Sequence, residues 1–200
     1  MVRVINAVFV KSSPSINEAL DEGVMEVLFL GRSNVGKSSL INALCCKKQL
    51  AKSSSTPGKT QLINFFDIMY EDDEKSRFVA RFVDLPGFGY AKVSKETKKK
   101  WEESLNTFIK KRVSARLFVH LKDARHIDLE IDKNVDEYIN SILRADQRIL
   151  KIYTKADKLT QKECSAILKD KNALLVSVLK KRGINEANER IFDLLFGKCA

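Results

Sequence analysis

The chain has 200 residues, within the usual size of one domain and long enough to bury a sizeable core. Its 44% hydrophobic content with mixed charges fits a soluble globular protein, and no run approaches the ~18 apolar residues of a membrane span, so a cytoplasmic protein without membrane contact is expected. The net charge of +10 favours polyanionic partners, either nucleic acid or an anionic membrane face, while four cysteines without C-x-x-C spacing argue against a zinc site or a disulfide framework.

Residues 1–23 lack the apolar core and cleavage site of a signal peptide and read as an N-terminal extension packed onto a domain spanning 24–200. The apolar run VMEVLFL then reads as a strand buried on both faces. Directly after it stands GRSNVGKSSLIN, Gly31 to Asn42. In a chain of only eight glycines, two lie five residues apart here, and Lys37 and Ser38 follow the second at once. Glycines let the backbone curl until several N–H groups face one centre, and a helix opening near Lys37 adds the positive end of its dipole. A lysine there reaches β- and γ-phosphates and a serine hydroxyl ligates Mg²⁺. The pattern therefore predicts a nucleoside triphosphate site. Cys45 and Cys46 follow on the same helix, where one can pack and the other cannot.

The segment STPGKTQ reads as a mobile loop of small polar residues, in which Thr56 and Thr60 are both candidates to complete a Mg²⁺ shell when a γ-phosphate is present. Next, QLINFFDIMY and SRFVARFVD are joined by the acidic turn EDDEK, so one strand of an otherwise parallel sheet should run antiparallel. Asp72, Asp73 and Glu74 lack the glycine and ligand spacing of a calcium loop. DLPGFG begins at the carboxyl end of a strand, where Asp84 can hold Mg²⁺ through a water and the Gly87 N–H can reach a γ-phosphate. The basic segment beyond it enters a helix with the apolar stripe Trp101, Leu105, Phe108, Ile109 and Val113. Its outward lysines, Lys92, Lys95, Lys98, Lys99 and Lys100, are candidates for contact with RNA phosphates.

ARLFVHL reads as a further strand with His120 near its end, and Ile131, Val135, Tyr138, Ile139, Ile142 and Leu143 form the next helical stripe. RILKIYT is a strand that ends in TKAD, Thr154 to Asp157. The Asp157 carboxylate can accept from the guanine N1–H and exocyclic amino group while the Lys155 stem covers the base. Adenine lacks that donor pair and would leave the charge unmatched, which disfavours an ATP-using kinase or ATPase. ALLVSV follows, where a backbone N–H of Val176, Ser177 or Val178 can meet the guanine O6. A stripe of Ile184, Ala187, Ile191, Leu194 and Leu195 closes the chain, just after a basic KKR at Lys180 to Arg182.

Together, GRSNVGKSSLIN, STPGKTQ, DLPGFGYA, TKADK and SVLKKRGI resemble the EngB family of bacterial ribosome-assembly GTPases, over nearly the whole chain from about Glu26. The resemblance implies a P-loop GTPase domain with a mostly parallel six-stranded sheet, one antiparallel strand and helices on both faces. It implies GTP and GDP as ligands, Mg²⁺ held by Ser38 and Thr60 (selecting Thr60 over Thr56), and the large ribosomal subunit as partner of a monomer. The nucleotide contacts it carries over are Gly31, Arg32, Ser33, Asn34, Val35, Gly36, Lys37 and Ser38, then Gly58, Lys59, Thr60, Gln61 and Leu62. Asp84, Leu85, Pro86 and Gly87 follow, with Thr154, Lys155, Ala156 and Asp157, and Val176, Ser177 and Val178. Thr154 stands where many GTPases have asparagine, which weakens one expected base-side contact. Phe88 stands where Ras-like enzymes carry the glutamine that orients water, so unaided hydrolysis should be slow. The alternative is a GTP-regulated binding module with negligible catalysis of its own. Some GTPases with a hydrophobic residue at the Phe88 position and asparagine at the Asn34 position bind K⁺ beside the phosphates. Lys37, Thr60 and Asn34 are accordingly the catalytic candidates.

Overall fold

The computed structural model of the chain describes residues 2–52, 62–88 and 95–197, the side chains of residues 95–102 excepted. A single sheet runs through it, with β1 (Arg3–Ser13), β2 (Met25–Gly31), β3 (Ile63–Glu71), β4 (Arg77–Asp84), β5 (Ala115–Asp123), β6 (Arg148–Thr154) and β7 (Ala173–Leu175) in the spatial order β1-β3-β4-β2-β5-β6-β7. β4, β2, β5, β6 and β7 pair in parallel, and β3 alone runs against the rest, antiparallel to both β4 and β1. The β3–β4 turn is closed by Asp72, whose Oδ1 accepts from the Glu74 and Ser76 amides at 2.9 Å each. That is hairpin chemistry rather than a calcium loop.

The sheet therefore has seven strands rather than six. The extra one comes from residues 1–23, of which Arg3–Ser13 pair along the outer edge of β3. Its register slips between Val4 and Asn6 and again between Phe9 and Lys11. Each slip breaks the in–out alternation by which an edge strand is read from sequence. Ala7 is buried while Phe9 is 52% exposed, so apolar content and burial part company along this strand.

Alternating residues of β2 feed two cores. Val27 and Phe29 pack with Leu40, Ile41 and Leu44 of α1 (Lys37–Leu44) and with Ile191 and Phe192 of α5 (Ile184–Phe196). Leu28 and Leu30 face Phe108 and Ile109 of α2 (Lys95–Lys111) and Ile139 of α3 (Glu130–Ile142). A central strand covered on both faces is the reason Val27 to Leu30 are all apolar, with no alternation of polar residues. A third, smaller cluster seats α4 (Gln161–Ile167) through Ile167 against Leu175. The α2 stripe is shorter than its spacing suggested: the helix stops at Lys111, and Val113 is 62% exposed in the turn beyond. The next residue after the helix, Arg112, leaves the apolar stripe to bind the fully buried Glu26 with two hydrogen bonds, at 2.8 and 2.6 Å. Cys45 is buried just past α1, where burial pushes its thiol up to about 12, and Cys46 beside it is exposed. Among the described residues no helix is long and apolar enough to cross a membrane.

Candidate functional site

Because five strands are parallel, their carboxyl ends lie along one rim of the sheet, and the loops that leave them are neighbours. Gly31 ends β2 in a place where a Cβ would lie 2.9 Å from Val35 Cγ1 and 3.0 Å from the Leu121 carbonyl, so any side chain there would have to push Val35 or β5 aside. Asn34 (φ 64°) and Gly36 (φ 104°) both take the left-handed conformation that builds an anion-binding concavity from backbone amides. Gly36 caps α1 with no side chain on the first amides of the helix, which leaves those donors for an anion. Arg32 and Gly36 are half-buried, Ser33 is exposed, and Val35 is buried beneath the loop.

Lys37 is buried at the start of α1 and its Nζ pairs with Oδ1 of Asp84, itself buried at the end of β4. Ser38 is half-buried beside it. Leu85 donates from its amide to the Phe29 carbonyl at 3.1 Å and Pro86 is buried after it, which holds this chain segment to the rim of β2. Gly87 then passes so close to the first loop that a Cβ would stand 3.0 Å from the Ser33 nitrogen. Phe88 zips the two loops together: its N–H donates to the Gly31 carbonyl at 3.2 Å, and its own carbonyl accepts from the Ser33 N–H at 3.3 Å.

A second pair of loops closes on the first from the far side. The Thr154 hydroxyl donates to the Val35 carbonyl at 2.6 Å, with the Lys122 carbonyl 3.2 Å away. Lys155, held at φ 58°, reaches across to the Asn34 carbonyl at 3.0 Å and to Asp123 Oδ2 at 2.7 Å. Ala156 donates from its amide to the Val176 carbonyl at 3.2 Å, and Ser177 donates from its hydroxyl to Asp157 Oδ1 at 2.5 Å. That last bond is the main cause that holds the Asp157 carboxyl below its ordinary value. The strand before it ends at Leu175, so Val176, Ser177 and Val178 form a loop rather than the strand end their apolar character suggested.

Of the expected contacts, Gly58, Lys59, Thr60 and Gln61, with Thr56, lie outside the described residues, as does Lys92, and the side chains of Lys95, Lys98, Lys99 and Lys100 are likewise undescribed. Leu62 stands two residues before Asn64, which pairs with Asp84 across β3 and β4 and so brings that end of the loop to the same rim.

Two groups of residues escaped the sequence. Asp123 ends β5 and gathers Lys155 and Arg125, and although burial pushes its carboxyl up, their hydrogen bonds outweigh it and hold the group well below the usual carboxylate range. A carboxylate at a strand's carboxyl end is the same signal that marked Asp84, and it was there to be read. The other group has no sequence signal. Arg32 Nε lies 3.5 Å from Oδ2 of the buried Asp132 on α3, and His120 lies between Asp136 (Nδ1 to Oδ1, 2.7 Å) and Asp132 (Nε2 to Oδ1, 3.8 Å). His120 is thus a fully buried residue inside β5 whose Nδ1 meets the Asp136 carboxylate, and the Phe88 ring packs against it at 5.9 Å.

Residues 26–181 match the family model described as "50S ribosome-binding GTPase". The "Probable GTP-binding protein EngB" of Campylobacter lari is 55% identical over 189 residues, 94% of each chain. The protein of the same name in Aliarcobacter butzleri is 50% identical, covering 97% of this chain and 98% of its own. Among solved structures, the crystal structure of a "probable GTP-binding protein engB" superposes with a TM-score of 0.63 at 20% identity, covering 87% of this chain and all of that one. Era in complex with MgGDPNP and nucleotides 1506-1542 of 16S ribosomal RNA gives 0.64 at 21% identity, over 86% of this chain and 57% of that one. At such identities these two structures establish the fold, that of P-loop GTPases.

The Thr154 hydroxyl is the shortest tie between the two pairs of loops. Thr154→Val keeps the shape and leaves the buried Val35 carbonyl without its closest donor, at a cost of about 1–3 kcal/mol. Guanine nucleotide affinity should fall about tenfold or more, with a smaller loss in the thermal midpoint of the nucleotide-free protein. Titration with a fluorescent GDP analogue checks this, and an unchanged affinity means that the hydroxyl does not position the loop.

Proposed function

The chain belongs to the EngB family of GTP-binding proteins and is a GTPase; from that premise we propose a slow GTP-driven switch that acts on the large ribosomal subunit during its assembly, as a cytoplasmic monomer. The observation that carries the reading is Lys155, whose ammonium bridges Asn34 on the phosphate side and Asp123 beneath the base side. It makes one rigid receptor of the two ends of a nucleotide. Residues 1–23 serve the domain as the edge of its sheet rather than as a separate module.

In this reading the loop Gly31–Ser38 cradles the β- and γ-phosphates, and Lys37 neutralises their charge. Ser38 and Thr60 would hold Mg²⁺, with Asp84 supporting it through a water; Gly58 to Leu62 would form the loop that answers to the γ-phosphate, and the Gly87 N–H would sense it. Among the described residues no three His, Cys, Asp or Glu side chains gather into a metal cage. That fits Mg²⁺, which takes one or two protein oxygens and leaves its remaining positions to phosphate and water. Bound there, the ion screens the charge of the phosphate oxygens. Asp157 is held ionised by Ser177 and accepts from the guanine edge, Lys155 covers the base, and an amide of the Val176–Val178 loop meets O6. Thr154 spends its hydroxyl on Val35 and takes no part in reading the base.

Hydrolysis is slow because Phe88 brings no group that can orient water, and its ring is engaged with His120. The same packing favours the second reading, a GTP-regulated binding module whose catalysis is negligible until a partner or cation supplies charge. The large subunit as partner rests on the description of the matching family and on the charge of +10.

Asp157→Asn should weaken GTP binding and improve binding of xanthine nucleotides, since xanthine offers an acceptor where guanine offers an amino donor; full GTP affinity in the variant makes Asp157 a structural cap only. The protein should sediment with large subunits more strongly when loaded with a nonhydrolysable GTP analogue than with GDP, and equal recovery in both states removes the switch. If Asn34 helps to seat K⁺ beside the phosphates, hydrolysis is faster in potassium than in sodium at equal ionic strength. Equal rates in the two salts, with and without ribosomes, rule that role out.

A further inference from the structure

The loop after the base-side segment is built unlike an ordinary solvated turn. Ser177 and Arg182 exchange two backbone hydrogen bonds, each 3.0 Å, so the four residues between them are pinched off at the neck. Inside the pinch, the Lys181 N–H donates to the Val178 carbonyl at 3.2 Å and the Lys180 N–H donates to the Ser177 hydroxyl at 3.1 Å. Lys181 is held in the left-handed region at φ 51°, a conformation that costs a lysine energy. Gly183 closes the exit at φ 76°, where a Cβ would stand 2.2 Å from the Leu175 carbonyl, so no other residue fits.

What this rigid neck holds out is equally unusual. Leu179 is 76% exposed, more than any other large hydrophobic side chain among the described residues. Lys180, Lys181 and Arg182 are exposed around it, and among the described residues none of the three forms an ion pair, whereas Lys122, Lys151, Lys155, Arg116 and Arg125 all do. A fixed apolar tip ringed by three free cations suits a polyanion with apolar faces between its charges. The cations meet phosphates and release their counterions, while the leucine lies on an unstacked base or a sugar. Because the loop is already ordered, little conformational entropy is lost on contact.

We propose that the segment Leu179–Arg182 is an RNA-docking element on the base-side rim of the nucleotide site, its tip Leu179 and its cations Lys180, Lys181 and Arg182. The proposal rests on the ribosomal reading above and names the surface through which it acts. RNA is favoured over an acidic protein by the charge of the whole chain, +10, which extends the attraction beyond the loop itself. The loop is also tied to the base reader. The Ser177 hydroxyl that accepts from Lys180 is the one that donates to Asp157, so the docking element and the guanine-selecting carboxylate share one anchor.

The test uses the full chain loaded with a nonhydrolysable GTP analogue, and compares the parent with K180A/K181A/R182A, with the charge-keeping K180R/K181R/R182K, and with Leu179→Ala. Binding is measured over several salt concentrations to purified large subunits and, separately, to protein-free large-subunit RNA. Loss of three phosphate contacts should flatten the plot of log affinity against log salt by about two on both ligands, with at least a tenfold loss at low salt. The charge-keeping variant should follow the parent, and Leu179→Ala should bind several-fold more weakly with the slope unchanged. Guanine nucleotide affinity should stay at the parent value in all three. Parental slope and affinity in the alanine triple variant overturn the proposal while leaving the ribosomal reading intact. Weakening on whole subunits but not on protein-free RNA assigns the loop to a ribosomal protein and overturns it as well. Loss of nucleotide affinity makes the loop part of the base pocket and also refutes it. If the parent itself binds neither ligand, it is the ribosomal reading that fails, and the docking loop falls with it.

Discussion

Everything at the loop-bearing rim hangs on a proton shared between Thr154 and the backbone of the phosphate loop. The Val35 carbonyl is buried, and a buried carbonyl without a donor is costly, so the loop is stable only where a hydroxyl comes to meet it. Thr154 can do so because it ends β6, and β6 is in register with Asp123 of β5, which in turn sits one strand from β2. The distance between the two ends of the site is thus set by strand spacing, and side chains only lock what the sheet has already measured. Lys155 repeats the logic with a charge, and the depressed Asp123 carboxyl is the counter-ion that keeps its ammonium in place.

Burial of charge follows a common pattern in this molecule. Glu26 is fully buried at the start of β2, met by two bonds from Arg112 and by Arg81 at 3.7 Å. Asp132, His120, Asp136, Lys122 and Arg32 make a second such knot between α3, β5 and the phosphate loop. Neither knot is a bargain in stability, since desolvation consumes most of the attraction. What each does is tie one element to another by charge: the end of α2 to the start of β2 in one case, and α3 to the loop of Gly31–Ser38 in the other. The second knot is also incompletely satisfied, with both Asp132 oxygens, Arg32 Nε and His120 Nε2 short of a hydrogen bond among the described residues.

How much of this could be read from sequence depended on whether cause and effect were neighbours in the chain. The phosphate loop, the Asp84 segment and TKAD each follow an apolar strand immediately, so residue type and structural context could be read together. The seven-residue α4 was missed because so short a helix carries too few apolar positions for a stripe, and its signal is instead the capping box in which Thr160 and Glu163 bond each other's backbone. The strand within the N-terminal extension has no clean sequence signal, because two slips of register scramble its alternation. Val113 looked like one more turn of a stripe that had already ended in Arg112. The pairing of Arg32 with Asp132 had no local signature at all, since it exists only once α3 lies against β5. Thr154 was read as a weaker asparagine, and its actual partner, a carbonyl in another loop, is invisible to any pattern of side chains.

The strand order has a further consequence for how the molecule comes into being. β2, among the first strands to be synthesised, finishes at the centre of the sheet between β4 and β5, both made much later. The hairpin of β3 and β4 needs only a short turn to form, whereas β2 must await two long-range parallel pairings, which are the slow kind. The phosphate loop, carried on β2 and sealed by Thr154 at the end of β6, is complete only once β6 has joined the sheet. A nucleotide that binds it recognises the finished fold and not its precursors, and by mass action adds about 2.7 kcal/mol of stability once its concentration reaches a hundred times its dissociation constant. The stability of the finished fold is in this way coupled to the concentration of the guanine nucleotide it binds.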